Sequence, residues 1–152
     1  MALVGVVIGS KRDTELIQPA LDMLKDLGIE YEFSVISAHR NPDRAREYGM
    51  EAEKRGLKVL MAGAGYAAHL PGVLASWTNL PVIGVPLPTS DLKGVDALFS
   101  IAQMPGGVPV ACTGIGASGA KNAALLAAQI LGLEHREIRE ACRKYKQELA
   151  RG

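Results

Sequence analysis

Apolar residues recur along this chain in two distinct rhythms. Short, nearly unbroken runs (Leu3 to Ile8, Lys58 to Ala62, Leu80 to Val85) alternate with longer stretches where apolar side chains return every three or four residues. The unbroken runs, rich in Val, predict strands buried on both faces of a sheet. Tyr31 to Ile36 alternates and predicts a further strand, and Val108 to Thr113 predicts a fifth. The three-and-four rhythm predicts helices with one core-facing stripe.

The helices carry their own punctuation. Asp13 is placed to cap a helix in which Ile17, Ala20, Leu21, Leu24 and Leu27 share a face, and Gly28 closes it. Pro19 lies beyond the first turn and is expected to distort that helix or delay its regular start. Asn41 caps a second helix, Pro42 to Lys54, with Pro42 in the first position and Gly56 ending it. Shorter helices are expected over Val73 to Trp77 and Gly94 to Ala102. Lys121 to Leu131 is apolar all round, so it should be buried on every side, in part against another subunit. The last helix, Glu134 to Leu149, puts Ile138, Ala141, Cys142, Tyr145 and Leu149 on one face.

Strands alternating with helices imply a parallel sheet covered on both faces with right-handed crossovers. The expected fold is one three-layer, doubly wound α/β domain, flavodoxin-like or Rossmann-like, over residues 1–152, with about five strands. The functional edge of such a sheet is the carboxyl ends of its strands. Ser10, His39 and His69 all fall there, in the loops after the first three strands.

Composition narrows the function class. A formal net charge of +1 leaves no charge to spare for neutralising a phosphate backbone, so no nucleic-acid partner is expected. No apolar run reaches bilayer length and the N-terminus lacks a signal-peptide pattern, so neither a membrane nor secretion is expected. Cys112 and Cys142 fall in a strand and a helix pattern and read as free thiols of a reducing cytoplasm. No Cys, His, Asp and Glu cluster has metal-ligand spacing. The P-loop ending and the dinucleotide fingerprint are both missing. Ser10, Ser37 and Ser118 lack the nucleophile-elbow pattern, which disfavours serine hydrolysis.

Three loops remain as candidates. Gly9-Ser10-x-x-Asp13 is either an anion cradle at a helix N-terminus or a tight turn with a cap. In Ser37-Ala38-His39-Arg40-Asn41-Pro42, an imidazole, which titrates near ~6.5 in isolation, sits between a strand end and a helix start. Arg40 supplies a forked cation suited to phosphate, and carrying it against the helix dipole favours a binding role. His69 lies in a loop of mostly Gly and Ala and is either catalytic or structural, while His135 reads as surface. Met104-Pro105-Gly106-Gly107 is either an apolar pocket wall or only a turn.

These residues, with Ala62-Gly63-Ala64-Gly65-x-Ala67-Ala68-His69-Leu70-Pro71-Gly72 and Gln103 to Val110, resemble the PurE family of N5-carboxyaminoimidazole ribonucleotide mutases. The likeness continues through Asn122 to Leu131 and covers nearly the whole chain, and Ala-Ala-His-Leu-Pro-Gly resembles the mutase class specifically. The resemblance implies an isomerisation in purine biosynthesis, without metal or organic cofactor, in a cytoplasmic homo-octamer. It implies His39 as the proton carrier, with His69 beside the carboxylate. It further implies Ser10, Asp13 and Arg40 on the ribose phosphate, and Ser37, Ala38, Gly63, Ala64, Gly65 and Leu70 around the base. Departures from the family pattern are Arg12 for Ser, Asn41 for Thr, Tyr66 for Gly, and Ser76-Trp77 for Ala-Lys. Tyr66 and Arg12 leave open a paralogous carboxylase or decarboxylase, or a nucleotide-binding module without turnover.

Overall fold

Val4, Val6 and Ile8 turn to one face of a sheet and Val7 to the other, and every residue of this strand is buried. Such two-sided burial is what an unbroken Val-rich run requires, and it forces a layer of helices onto each face. The computed structural model describes residues 1–152 accordingly. In chain order come β1 (Val4–Ile8), a 3-10 turn (Lys11–Asp13), α1 (Thr14–Asp26), β2 (Tyr31–Val35) and α2 (Pro42–Glu51). β3 (Val59–Ala64), α3 (Leu70–Trp77), β4 (Val82–Pro86) and α4 (Val95–Ala102) follow, then β5 (Ala111–Cys112), α5 (Ala117–Leu131) and α6 (Arg136–Ala150).

The five strands are all parallel in the order β2-β1-β3-β4-β5, the flavodoxin-like arrangement expected above. One core holds Val4, Val6, Ile8, Met61 and Ile83 against the apolar faces of α1 and α5. The other holds Val7, Leu60, Ala62 and Val82 against α2, α3 and α4. The register matters for function. Ile8 pairs with Val35 and with Gly63, and Gly63 with Val85, so the loops after four strands leave the sheet at one level. The order reverses at β1, whose neighbours are β2 and β3, and this switch point opens a crevice at the strand ends.

Several boundaries differ from the sequence expectation, each for a physical reason. The small-residue loop expected over Gly63 to Gly72 is shorter. Gly63 and Ala64 extend β3, because Ala64 pairs with Pro86, and Leu70 to Gly72 form the first turn of α3, where Pro71 needs no donor. β5 keeps only Ala111–Cys112 of the expected Val108 to Thr113, since Pro109 offers no N–H and the strand lies at the sheet edge. Pro19 sits within α1 without ending it. α2 stops at Glu51 instead of Lys54.

α5 is corrected most. It begins four residues early and is two-faced: Ala120, Ala123, Ala124, Ala127 and Ala128 are fully buried, while Lys121, Asn122 and Gln129 are exposed. Leu125, Leu126 and Ile130 are only half-buried. On α6, Ile138 is buried, Ala141, Cys142 and Tyr145 are half-buried, and Leu149 is exposed.

Candidate functional site

The crevice at the switch point is a cavity of about 670 Å³ lined from four loops, those following β1, β2, β3 and β4. After β1, Ser10 starts the turn in an extended conformation and its Oγ accepts from the Arg12 N–H at 3.3 Å. Ser10, and not Asp13, is therefore the capping residue. Asp13 has helical dihedrals, makes no side-chain capping bond, and is the only buried charged residue of the chain. Burial pushes its carboxyl above the ordinary carboxylate range, and a backbone hydrogen bond at Ser10 offsets only part of this. A buried carboxylate with spare lone pairs on a pocket wall suits the paired hydroxyls of a sugar.

The sign of that shift gives a prediction. A carboxyl whose folded pKa is raised lends stability below the unfolded pKa, and this is lost as pH rises through the folded value. Toward neutral pH Asp13 therefore opposes folding. Asp13→Asn is expected to raise the thermal midpoint at pH 7, with the advantage shrinking in acid, while ligand affinity falls. Melting curves at both pH values check this, and a lower midpoint at pH 7 refutes it.

After β2, the Ile36 N–H still bonds the Ile8 carbonyl at 2.8 Å before the chain turns. Ser37 builds that turn: its Oγ accepts from the Arg40 N–H at 3.1 Å and its carbonyl from the Asn41 N–H at 2.9 Å. Asn41 then caps α2, its Oδ1 accepting from the Arg44 N–H at 3.2 Å, as the sequence predicts. The Arg44 guanidinium donates to the Val35 carbonyl at 3.2 Å and ties the helix to the strand end. The turn leaves Ala38 half-buried and carries His39 and Arg40 into the open pocket.

After β3, the backbone at Gly65 passes so close to Thr89 that a β-carbon there would overlap the Thr89 hydroxyl. Buried Ala68 and Leu70 anchor the rest of the loop, and the His69 N–H bonds the Ala67 carbonyl at 2.8 Å. His69 is thereby aimed at His39. His39 Nε2 lies 2.5 Å from His69 Nδ1, the rings nearly perpendicular at 85° with centroids 4.7 Å apart. At that separation one nitrogen donates and the other accepts, the tautomers of the two rings setting which does which. The pair can pass a proton between a bound ligand and a second imidazole.

Ser10, Asp13, Ser37, Ala38, His39, Arg40, Ala64, Gly65, His69 and Leu70, all named from sequence, line this one cavity. Gly63 does not. It is an interior residue of β3, where a β-carbon would meet Ile17 at 3.1 Å, Leu87 at 3.3 Å and Ile8 at 3.5 Å. Arg12, Tyr66, Ala67 and Thr89 line the cavity without having been named as site residues. For Thr89 the signal was available: it follows β4, and carboxyl-end loops on either side of a switch point contribute to its site.

The chain is similar over nearly its whole length to proteins already known. The N5-carboxyaminoimidazole ribonucleotide mutase of Saccharolobus solfataricus is 54% identical over 149 residues, 98% of this chain and 93% of its own. That of Pseudomonas aeruginosa is 57% identical over 145 residues, 95% of this chain and 89% of its own. The crystal structure of Treponema denticola PurE superposes with a TM-score of 0.88 at 29% identity, covering 99% of this chain and 93% of that one. Residues 3–152 match the family described as AIR carboxylase, and with that match, these identities and the shared fold, the chain belongs to that family.

Proposed function

We propose that the protein is an isomerase of purine biosynthesis that converts N5-carboxyaminoimidazole ribonucleotide to 4-carboxyaminoimidazole ribonucleotide. The observation that carries this reading is the contact between His39 and His69 inside a pocket that also holds Arg40 and Ser10. The reaction moves a carboxylate from the exocyclic nitrogen to ring carbon C4. In the first step His39 delivers a proton to that nitrogen, the N–C bond of the carbamate breaks, and CO2 and the free amine remain. In the second, C4 bonds to the CO2 carbon and its proton returns to His39. One proton is taken up and one released, so no co-reactant is needed. A single imidazole serves both steps because the nitrogen that gives up a proton in the first is free to take one back in the second.

The other residues divide the remaining work. Arg40 pairs with the phosphate, Ser10 and Asp13 hold phosphate and ribose, and the Ala64–Leu70 loop encloses the base and the transient CO2. His69 accepts or returns the proton His39 shares with it. Purified protein given the carboxylated substrate without ATP is expected to form the C4-carboxylated product. Tight binding without turnover would refute the reading. Arg40→Ala is expected to raise KM roughly tenfold to a hundredfold, the worth of a charge-assisted hydrogen bond at about 1.5–3 kcal/mol, with kcat little changed. An unchanged KM removes Arg40 from the phosphate.

The same reading makes the active form a cytoplasmic homo-octamer. The half-buried Leu125, Leu126 and Ile130 on α5 support an assembly, since they leave an apolar strip uncovered in the single chain. Sedimentation at micromolar concentration tests the subunit number. Both cysteines are unpaired, and no helix is long and apolar enough to cross a membrane.

A further inference from the structure

We propose that Tyr66 is a specificity-determining residue whose ring stacks on the heterocycle of the bound nucleotide. Four observations carry the proposal, which rests on the ribonucleotide reading above. Tyr66 lines the cavity yet is 63% exposed, so its ring stands at the mouth. It has φ of 55°, one of only two non-glycine residues with positive φ, a conformation that costs a bulky side chain free energy. Its ring meets neither an aromatic nor a cationic partner within the chain. Its backbone is held on both sides, by Gly65 against Thr89 and by buried Ala68.

A strained backbone, over-determined by its neighbours, that presents an unpartnered ring to a pocket is the arrangement expected of a ligand clamp. The ring's chemistry selects the part of the ligand it meets. A neutral π-face has little to offer a phosphate, for which Arg12 and Arg40 already line the same cavity. It matches the flat face of an imidazole, and Tyr66 lies three residues from His69, where the base must be for proton transfer.

The test separates the ring from the backbone and from the hydroxyl. Asn tolerates positive φ, so Tyr66→Asn removes the ring while keeping the turn, and Tyr66→Phe keeps the ring. Calorimetric titration with 4-carboxyaminoimidazole ribonucleotide is expected to show roughly tenfold to a hundredfold weaker binding to Y66N and binding to Y66F within about twofold of wild type. Ribose 5-phosphate, which lacks the base, should bind all three proteins alike. The thermal midpoint of Y66N should equal or exceed that of wild type, which a structural role would not allow. Unchanged nucleotide affinity in Y66N, or equal losses in Y66F and Y66N, overturns stacking. Equal weakening of ribose 5-phosphate by Y66N also overturns it. If wild type binds the nucleotide with this dependence on Tyr66 but does not turn it over, the isomerase reading fails and stacking stands.

Discussion

His39→Asn is expected to lower kcat by about two to four orders of magnitude, the usual worth of a positioned general acid and base. Asn retains a polar side chain of similar reach but cannot carry a proton at neutral pH. His39 is exposed and packs into neither core, so the thermal midpoint should barely move. The loss should therefore appear in kcat, with affinity for the product nucleotide kept within a few-fold. His69 is left without its partner in this variant, and its facing Nδ1 becomes free to take water. Steady-state kinetics beside calorimetric binding make the test. A variant that turns over at the wild-type rate would remove His39 from proton transfer altogether.

The second large effect lies in packing, far from any titrating group. Gly119→Ala should improve an ordinary helix interior, because Ala is the better helix former by about 1 kcal/mol. In α5 the opposite is expected. A β-carbon at Gly119 would overlap the carbonyl oxygen of Gly114 and approach its Cα at 3.1 Å. Both obstacles are backbone, so no side-chain rotation relieves them. The Gly119 carbonyl is also held by the Thr113 hydroxyl, which donates to it at 2.8 Å and fixes the helix start against β5. Overpacking of this kind costs up to about 3 kcal/mol, enough to exceed the gain in helix propensity. Chemical denaturation should show a clear loss of stability, and an equal or higher midpoint would mean that the α5 start shifts freely.

The contrast between those two positions shows what could be read in advance. His39 was legible because its signals are local: an imidazole beside a strand end, a Ser that turns the chain, and an Asn-Pro pair that starts a helix. Gly119 was not, because its neighbour Gly114 approaches only after the segment following β5 folds back on the helix. Asp13 fell between the two. Its sequence position suited a cap, but the 3-10 turn beginning at Ser10 took that role and left Asp13 buried on the pocket wall. For α5, composition suggested burial all round, yet in the single chain its alanine-rich face is fully buried while Leu125, Leu126 and Ile130 are only half-buried.

By itself, then, the sequence determined the alternation of strands and helices, the parallel sheet and the loops that carry the chemistry. These follow from hydrophobic period and from turn and cap residues, which act over a few positions. Tertiary structure decided what depends on register and approach. The pairing of Ile8 with both Val35 and Gly63 set the loops at one height. It drew Gly63 into the sheet, buried Asp13, and brought His39 to within 2.5 Å of His69 across 30 residues of chain. Contacts between residues so far apart in sequence arise from the packing of whole elements, which no local pattern encodes.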